Sequence, residues 1–303
     1  MYDLVSIGTV AVDLYFKGDS LTLEDNHFQL VCGGKYFADG FYEGLGGGAT
    51  NVAIGSKKNG LRVALAATIG ENVFKKVILH KLDELNVDYS LSIFEKDFYN
   101  ISAVLIAPHG DRSIVNYRSK HQDTYDDEEE LQKLANTKMV YLANLPSLSL
   151  PKKTTILKFF RDKNITTFAN LGTTDCKRDF ASIRKFLKQV DVLIINAHEF
   201  SEMIRTPYEE INFNENVKEE YLGEFSHLKL ILTDGLKGSY GYYEEKVYHQ
   251  EAVLAEKVID ATGAGDGYTA GFISSYSQSH DIVAAMKKGA EYSSYVVSVV
   301  GAN

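Results

Sequence analysis

The sequence predicts an α/β fold whose central sheet is mostly parallel and is covered by helices on both faces. Short apolar runs without strict alternation are typical of strands that are buried on both faces. Helical patterns separate these runs along most of the chain, which is the order that parallel strands require. The predicted strands are 2–8, 62–69, 138–143, 165–170, 190–196 and 227–233.

Spacing and end signals predict the intervening helices. Small residues over 49–59 form one helix, which Gly60 ends because glycine adopts the left-handed conformation at little cost. Two later helices are predicted over 153–162 and 178–189. A buried helical face is predicted from four apolar residues at helical spacing: Phe74, Ile78, Leu82 and Leu85.

Two segments, at about 12–44 and 90–117, interrupt the alternation of strands and helices. In the second segment, 101–107 and 113–117 flank a Pro-His-Gly-Asp sequence, which predicts a hairpin. We expect the two insertions to pair as a small second sheet that forms a lid over the carboxyl edge of the main sheet. The 303 residues are therefore interpreted as a single domain with a lid.

Composition excludes several classes of protein. With 45% hydrophobic and 24% charged residues, the chain is neither disordered nor fibrous. The net charge of -9 argues against sequence-independent binding of nucleic acid, which needs a positive surface. The two cysteines, Cys32 and Cys176, fit free thiols in a reducing compartment. Asp3 and Asp13 interrupt any secretory leader and no apolar run could span a bilayer, so we expect a soluble cytoplasmic protein without membrane partners.

The segment 260–271, Asp-Ala-Thr-Gly-Ala-Gly-Asp-Gly-Tyr-Thr-Ala-Gly, carries the strongest chemical signal. Small residues before a helix leave backbone N–H groups uncovered, and these groups with the helix dipole form an anion site. Asp266 is unexpected there, because a carboxylate would repel a bound phosphate. It fits a general base that takes the proton of an attacking hydroxyl. The alternative is an aspartate that caps a glycine-rich turn.

A second segment, 46–51, reads Gly-Gly-Gly-Ala-Thr-Asn. Its glycines allow a ligand to approach the backbone closely, and Asn51 offers both a donor and an acceptor to vicinal hydroxyls. The alternative is a plain helix start. The segment is not a dinucleotide-binding fingerprint, and the chain contains no GxxxxGK[ST] phosphate loop.

Together these segments resemble the two signatures of the ribokinase-like (PfkB-type) carbohydrate kinases. Residues at the spacing of the first signature are Gly46, Gly47, Asn51, Ala53, Gly60 and Gly70, and 260–273 resembles the second. The resemblance covers essentially the whole chain. It implies a ribokinase-like three-layer α/β/α sandwich with a mostly parallel central sheet and a small β-sheet lid.

The resemblance also implies roles for single residues at the acceptor side. Asp266 corresponds to the catalytic base, and the N–H groups of Gly263, Ala264 and Gly265 correspond to the anion hole for the transferred phosphoryl group. Asp13 corresponds to the family's N-terminal substrate aspartate, with a turn residue as the alternative. The sugar-contacting loop corresponds to Gly46, Gly47 and Asn51.

On the cofactor side, the resemblance implies ATP, Mg²⁺ and a potassium ion. Asn196 and Glu199 match the NxxE motif that organises magnesium and phosphate, with Glu199 acting through water; alternatively they only begin a helix. A nucleotide-binding turn is implied at Thr233, Gly235 and Gly238, with a simple hairpin turn as the alternative. The equivalents of Asp260 and Thr262 often bind a monovalent cation in the family.

The predicted function is an ATP-dependent carbohydrate kinase that transfers the γ-phosphoryl group to a primary hydroxyl of a ribose- or fructose-like sugar. One alternative is a nucleoside (adenosine-like) kinase, since 170–172 resembles that subgroup and aromatic residues could stack a base, namely Phe16, Phe28, Tyr36, Phe37 and Phe41. Another is a catalytically inactive sugar-binding regulatory protein. A sugar-phosphate acceptor is less favoured because the Gly46 loop has no cluster of basic residues. Arg112, Arg118 and the tyrosines of the lid region are candidate substrate contacts, and no single one of them is favoured. A homodimer through an exposed lid edge is also considered.

Overall fold

The computed structural model describes residues 1–25, 27–108, 111–119, 125, 127–223, 225–259, 263–299 and 301. Its strands, in chain order, are β1 (Tyr2–Gly8), β2 (Ala11–Lys17), β3 (Leu23–Glu24), β4 (His27–Phe28), β5 (Gly40–Gly46), β6 (Val63–Glu71), β7 (Ile93–Lys96), β8 (Asn100–Ile106), β9 (Arg112–Arg118), β10 (Thr137–Leu142), β11 (Thr166–Ala169), β12 (Val192–Asn196), β13 (Lys229–Thr233), β14 (Ser239–Tyr243) and β15 (Lys246–Gln250).

The helices lie mainly between the strands of the large sheet. They are α1 (Gly48–Lys58), α2 (Lys75–Glu84), α3 (Glu128–Leu134), α4 (Leu150–Asp162), α5 (Thr173–Cys176), α6 (Phe180–Leu187), α7 (Ala197–Ile204), α8 (Val217–Tyr221), α9 (Ala264–Ser279) and α10 (Ile282–Val297), with 3₁₀ turns at Tyr208–Glu210 and Gly235–Lys237. Within the described part of the chain, no helix has the length and apolar character needed to cross a membrane.

The large sheet has the strand order β15-β14-β13-β12-β11-β10-β1-β6-β7. Its strands from β13 to β7 pair in parallel, while β14 is antiparallel to both of its neighbours. The chain proceeds outward from β1 in both directions, through β6 on one side and β10 on the other. Such a reversal opens a crevice beyond the carboxyl ends of the central strands, where ligands of open α/β sheets bind.

Two separate cores cover the faces of this sheet. Alternate residues of one strand enter different cores, as Val5 and Leu4 of β1 do. Leu157 of α4 and Phe200 of α7 belong to the first core, whereas Ala53 of α1 belongs to the second. The predicted three-layer α/β/α sandwich with a mostly parallel sheet is therefore confirmed. The predicted strands lie within two residues of the observed ones, and β1 has the predicted bounds.

A separate four-stranded sheet has the order β5-β2-β8-β9 and joins the two insertions predicted from the sequence. Strand β2 pairs in parallel with β8, and β8 pairs antiparallel with β9. The second predicted insertion begins too early, because β7 pairs with β6 in the large sheet and Ile93 packs against its core. Of the predicted hairpin turn, 109 and 110 lie outside the described residues. The lid role of this small sheet stays a prediction.

Candidate active site

A polar cavity of about 390 Å³ lies where the small sheet faces the carboxyl ends of the central strands. The segment after β1 contributes Thr9, and the segments after β10 and β11 contribute Asn144 and Asn170. The amino-terminal turns of α1 and α9 contribute Asn51 and Asp266. Other lining residues come from the small sheet, from β10 and from the starts of the two helices: Ala11, Asp13, Asn100, Ser102, Val104, Ile114, Asn116, Arg118, Tyr141, Gly47, Gly48 and Gly263.

Asp266 and Asn51 meet at this cavity although 215 positions separate them in the sequence. Asn51 Nδ2 donates a hydrogen bond of 2.7 Å to Asp266 Oδ2. Burial raises the pKa of Asp266 to about 6, although the hydrogen bond from Asn51 opposes this shift. A carboxylate with such a pKa is ionised at neutral pH and remains basic enough to accept a proton from a hydroxyl.

The start of α9 explains why Asp266 faces the cavity. Gly263 holds the N-cap position with φ of +77°, and no side chain caps this end. The first hydrogen bond within the helix comes from Gly267 N to Gly263 O, at 2.7 Å. The capping alternative for Asp266 therefore finds no support, because its carboxylate bonds to Asn51 instead.

The backbone around Gly263, Ala264 and Gly265 has the geometry that an anion site requires. The first amides of a helix have no partner inside it and carry the positive end of the dipole. A Cβ atom added at Gly265 would meet no atom within 4 Å, so this stretch of backbone is open. Its function as an anion hole stays a prediction.

Close packing requires glycine at positions 46 and 47. A Cβ on Gly46 would lie 2.1 Å from Asp13 Oδ2, and one on Gly47 would lie 2.4 Å from the carbonyl oxygen of Thr9. Gly47 also has φ of +97°, which favours glycine. Asp13 is 7% exposed and lies inside β2, so the turn alternative is wrong. Gly46 packs beneath Asp13, whereas Gly47 lines the cavity itself.

Asn196 and Glu199 form a reciprocal capping box at the start of α7. Asn196 Oδ1 accepts from Glu199 N at 2.7 Å, and Glu199 Oε2 accepts from Asn196 N at 3.1 Å. Asn196 and Glu199 therefore form the start of a helix, which was the structural alternative to a role in binding magnesium and phosphate. Burial raises the pKa of Glu199, so its negative charge would gain from a nearby cation.

The residues present fit a magnesium ion held mostly by phosphate and water. Among the described residues, no group of three or more histidine, cysteine or carboxylate side chains is placed to enclose a metal. Glu199 uses one oxygen for the capping box, and the described residues supply no hydrogen-bond partner for its Oε1. A magnesium ion near the start of α7 would therefore contact Glu199 through that second oxygen or through water. The magnesium role of Glu199 stays a prediction.

The segment from Thr233 to Gly238 connects β13 with β14 as the turn of an antiparallel pair. Asp234 N donates to Gly238 O at 2.8 Å across this turn. Gly238 has φ of +90°, and a Cβ there would lie 2.1 Å from the carbonyl oxygen of Gln250. Thr233, Gly235 and Gly238 thus form the hairpin turn, and nucleotide binding by them stays a prediction. Asp260 and Thr262, the predicted monovalent-cation residues, lie outside the described residues.

Several polar residues of the cavity were not predicted from the sequence. Thr9 and Asn144 each follow a parallel strand, which is the signal that could have revealed them. Tyr141 of β10 is 2% exposed, and its pKa is raised well above the usual value by burial and by the charges of Asp266 and Glu199. This tyrosine therefore stays protonated at neutral pH.

The family model described as pfkB family carbohydrate kinase matches residues 1–303. The chain belongs to this family. It is accordingly a phosphotransferase that acts on hydroxyl groups of carbohydrates or nucleosides, which confirms the class predicted from the sequence.

This pfkB-family kinase is similar in sequence to two curated relatives and in fold to two solved structures. The chain is 25% identical to the 5-dehydro-2-deoxygluconokinase of Lacticaseibacillus casei, covering 98% of this chain and 90% of the relative. It is also 25% identical to the nucleoside kinase of Methanocaldococcus jannaschii, covering 99% and 92%.

The structure of that nucleoside kinase has a TM-score of 0.76 and 22% identity, covering 100% of this chain and 93% of the other. Arabidopsis thaliana ribokinase, complexed with ribose and ATP, has a TM-score of 0.80 and 20% identity, covering 99% and 94%. These structures confirm the ribokinase-like fold.

Proposed function

We propose that this pfkB-family kinase transfers the γ-phosphoryl group of ATP to a primary hydroxyl of a sugar. The observation that carries the proposal is the position of Asp266 in the cavity wall, beside the open amides of α9 and bonded to Asn51. A proton acceptor and an anion-binding backbone thus lie within one turn of helix. Phosphoryl transfer to an alcohol uses a group that accepts the proton of the attacking hydroxyl and groups that stabilise charge on the transferred phosphoryl.

The cavity lining supports a polyhydroxylated acceptor. Asp13 and Asn51 together accept and donate hydrogen bonds, as vicinal hydroxyls require. Asn100, Asn116 and Asn170 add further amide groups. We propose that the sugar is held by these side chains with its primary hydroxyl toward Asp266, which takes the proton as the oxygen attacks phosphorus.

On the nucleotide side, we propose that ATP extends from α9 along the sheet edge toward Thr233 and Gly235. The amides of Gly263, Ala264 and Gly265 would stabilise charge on the transferred group. Magnesium near Glu199 would neutralise phosphate charge. Arabidopsis thaliana ribokinase, which has the same fold, is complexed with ribose and ATP, and this supports ATP as the phosphoryl donor.

A nucleoside acceptor has less support. Among the described residues that line the cavity, Tyr141 is the one aromatic side chain. The predicted base-stacking residues lie elsewhere: Phe16, Phe28, Tyr36, Phe37 and Phe41. A purine or pyrimidine ring would therefore lack a pair of stacking partners in the cavity. The homodimer, the potassium ion and the cytoplasmic location stay predictions.

The test is ATP-dependent phosphorylation of a panel of pentoses, hexoses, sugar acids and nucleosides, followed by product analysis. We expect a phosphate ester at a primary carbon of one carbohydrate acceptor. Preferred turnover of a nucleoside would show that the acceptor is a nucleoside and not a sugar, and it would leave the proposed phosphoryl transfer from ATP unchanged. Tight sugar binding without phosphorylation of any acceptor would instead favour the inactive binding protein.

A further inference from the structure

Strand β9 presents a basic side chain to the cavity. Side chains alternate between the two faces of a strand, so Ile114, Asn116 and Arg118 share one face. These three residues line the cavity. Val115 and Tyr117 occupy the other face, and residues on both faces of this edge strand are exposed to solvent. Arg118 is therefore placed toward the acceptor and not toward the outer surface of the small sheet.

A short chain of hydrogen bonds positions Arg118. Its Nε donates to Asn100 Oδ1 at 3.3 Å, and Asn100 Nδ2 donates to the carbonyl oxygen of Val10 at 2.7 Å. Arg118 and Asn100 also lie opposite each other in the β8–β9 register. The side chain is thus tied to the backbone that joins β1 to β2, while its two Nη groups remain available to a ligand.

The charge of Arg118 has no acidic partner among the described residues. Burial alone lowers its pKa, without an opposing contribution from any carboxylate. The guanidinium nevertheless stays ionised over the whole physiological range. A positive group that faces the cavity and has no acidic partner in the described part of the chain favours a ligand that brings a negative charge.

We infer that Arg118 determines specificity by binding a carboxylate of the acceptor, and that the acceptor is therefore a sugar acid. This inference rests on the proposed function, since it concerns the acceptor of the same reaction. The planar guanidinium matches a carboxylate through two parallel hydrogen bonds. Asn116, two residues earlier on the same face, adds an amide donor beside it. The hydroxyl to be phosphorylated would then lie at the other end of the molecule, toward Asp266.

The charges of the cavity favour a carboxylate over a phosphate. The charged residues among its described lining are Asp13, Asp266 and Arg118. One guanidinium can compensate a monoanion. A phosphate monoester carries a charge of about -1.5 to -2 at neutral pH and would face two carboxylates with a single positive partner.

The test compares the wild type with Arg118→Gln and Arg118→Lys, and with Arg112→Gln as the matched control. Arg112, the other arginine considered as a substrate contact from the sequence, lies on the same strand and the same face but is not among the described residues that line the cavity, so the structure does not place it at the acceptor. Binding without ATP is measured by calorimetry for three pairs that differ in one oxidised carbon: D-gluconate and D-glucitol, D-galactonate and D-galactitol, and 2-keto-D-gluconate and D-fructose. Kinase assays follow with the same compounds and with D-fructose 6-phosphate.

We expect the wild type to bind at least one acid about tenfold or more tightly than its neutral partner. Arg118→Gln should abolish this preference and raise KM for the acid about ten- to hundredfold with little change in kcat. Arg118→Lys should restore part of it, and Arg112→Gln should match the wild type.

Equal binding of acid and neutral partner in all three pairs would overturn the inference, whatever the kinase assays show. So would a preference that survives Arg118→Gln, or preferred turnover of D-fructose 6-phosphate. Tighter binding of an acid that depends on Arg118, without phosphorylation of any compound, would support the inference and contradict the proposed kinase reaction.

Discussion

The proposed acceptor cavity and the proposed nucleotide edge, which is the start of α7 at Asn196 and Glu199, are built in opposite ways. In the cavity, Asn51 and Asp266 come from distant parts of the chain and complete each other's hydrogen bonding. At the nucleotide edge, Asn196 and Glu199 are three residues apart and satisfy each other within one helical turn. The cavity thus depends on tertiary packing, whereas the edge depends on local backbone geometry. We expect substitutions in the cavity to affect catalysis first and substitutions at the edge to affect folding as well.

The largest effect is expected from Asp266→Asn. Loss of the proton acceptor should reduce kcat about a thousandfold or more, within the range of a removed general base. The fold should persist, because an amide at this position can still accept the hydrogen bond from Asn51. The measurement is kcat by coupled assay, with the melting temperature recorded alongside.

Asp88→Asn is the matched control for this variant. Asp88 also accepts a hydrogen bond from a neutral side chain, at 2.6 Å from Tyr2 Oη, and is absent from the cavity lining. It should keep the wild-type kcat. Wild-type turnover in Asp266→Asn would remove Asp266 from the role of base.

A smaller loss is expected from Gly46→Ala. The new Cβ would lie 2.1 Å from Asp13 Oδ2 and must displace the carboxylate. We expect KM for the acceptor to rise about tenfold or more, the cost of losing one or two well-placed hydrogen bonds. KM for ATP should change little, which would separate the two regions.

Gly44→Ala provides the comparison, since Gly44 lies on the same strand as Gly46 and is opposite Asp13 in the β2–β5 register. A Cβ there meets only Tyr15 Cε2, at an ordinary contact distance of 3.5 Å. Equal KM values for both variants would show that Asp13 does not hold the acceptor.

The pH dependence should follow the ionisation of Asp266. Because burial raises the pKa of Asp266 to about 6, its basic form is lost as the pH falls through that value. We expect kcat/KM to reach a plateau above about pH 7 and to be about tenfold lower at pH 5.

The folded state binds this proton more tightly than the unfolded chain. The contribution of Asp266 to the free energy of unfolding therefore decreases as the pH rises from about 4 to 6 and is constant above. The acid loss of activity thus does not come from unfolding driven by Asp266. The pH profile of the residual activity of Asp266→Asn should lack this inflection. An inflection caused by titration of ATP would remain in the variant, so the comparison distinguishes the two causes. The same inflection in that variant would assign it to another group.

The smallest effects are expected at Glu199, where two roles can be separated. Glu199→Gln retains an oxygen for the capping box, so the free energy of unfolding should hardly change. Glu199→Ala should lose about 1 kcal/mol with the cap. If Glu199 also assists magnesium, both variants should raise KM for MgATP about three- to tenfold. Unchanged KM in Glu199→Gln would limit Glu199 to capping.

Local signals in the sequence were sufficient to predict most of the strands and helices that form the three layers of the fold. The apolar run Tyr2–Gly8 and the capping residues of α7 form their elements through contacts within a few residues, so their patterns are visible without the structure. The pattern failed at Ile93–Lys96, which the sequence analysis included in the lid. A short strand pairs with whichever edge tertiary packing supplies, and here that edge is β6.

The chemical types at the site were determined by the sequence alone. It marked Asp266 as a carboxylate in a predicted anion-binding turn and Asn51 after three glycines, and it predicted a ligand close to Gly46, where the structure instead places Asp13. Only the tertiary structure decided that Asn51 bonds to Asp266, that Asp13 covers Gly46, and that Arg118 faces the same cavity. The physical reason is that the residue type determines whether a side chain can donate a hydrogen bond, accept one or carry a charge. Its partner and its pKa depend on burial and on neighbours that chain folding brings from far away in the sequence.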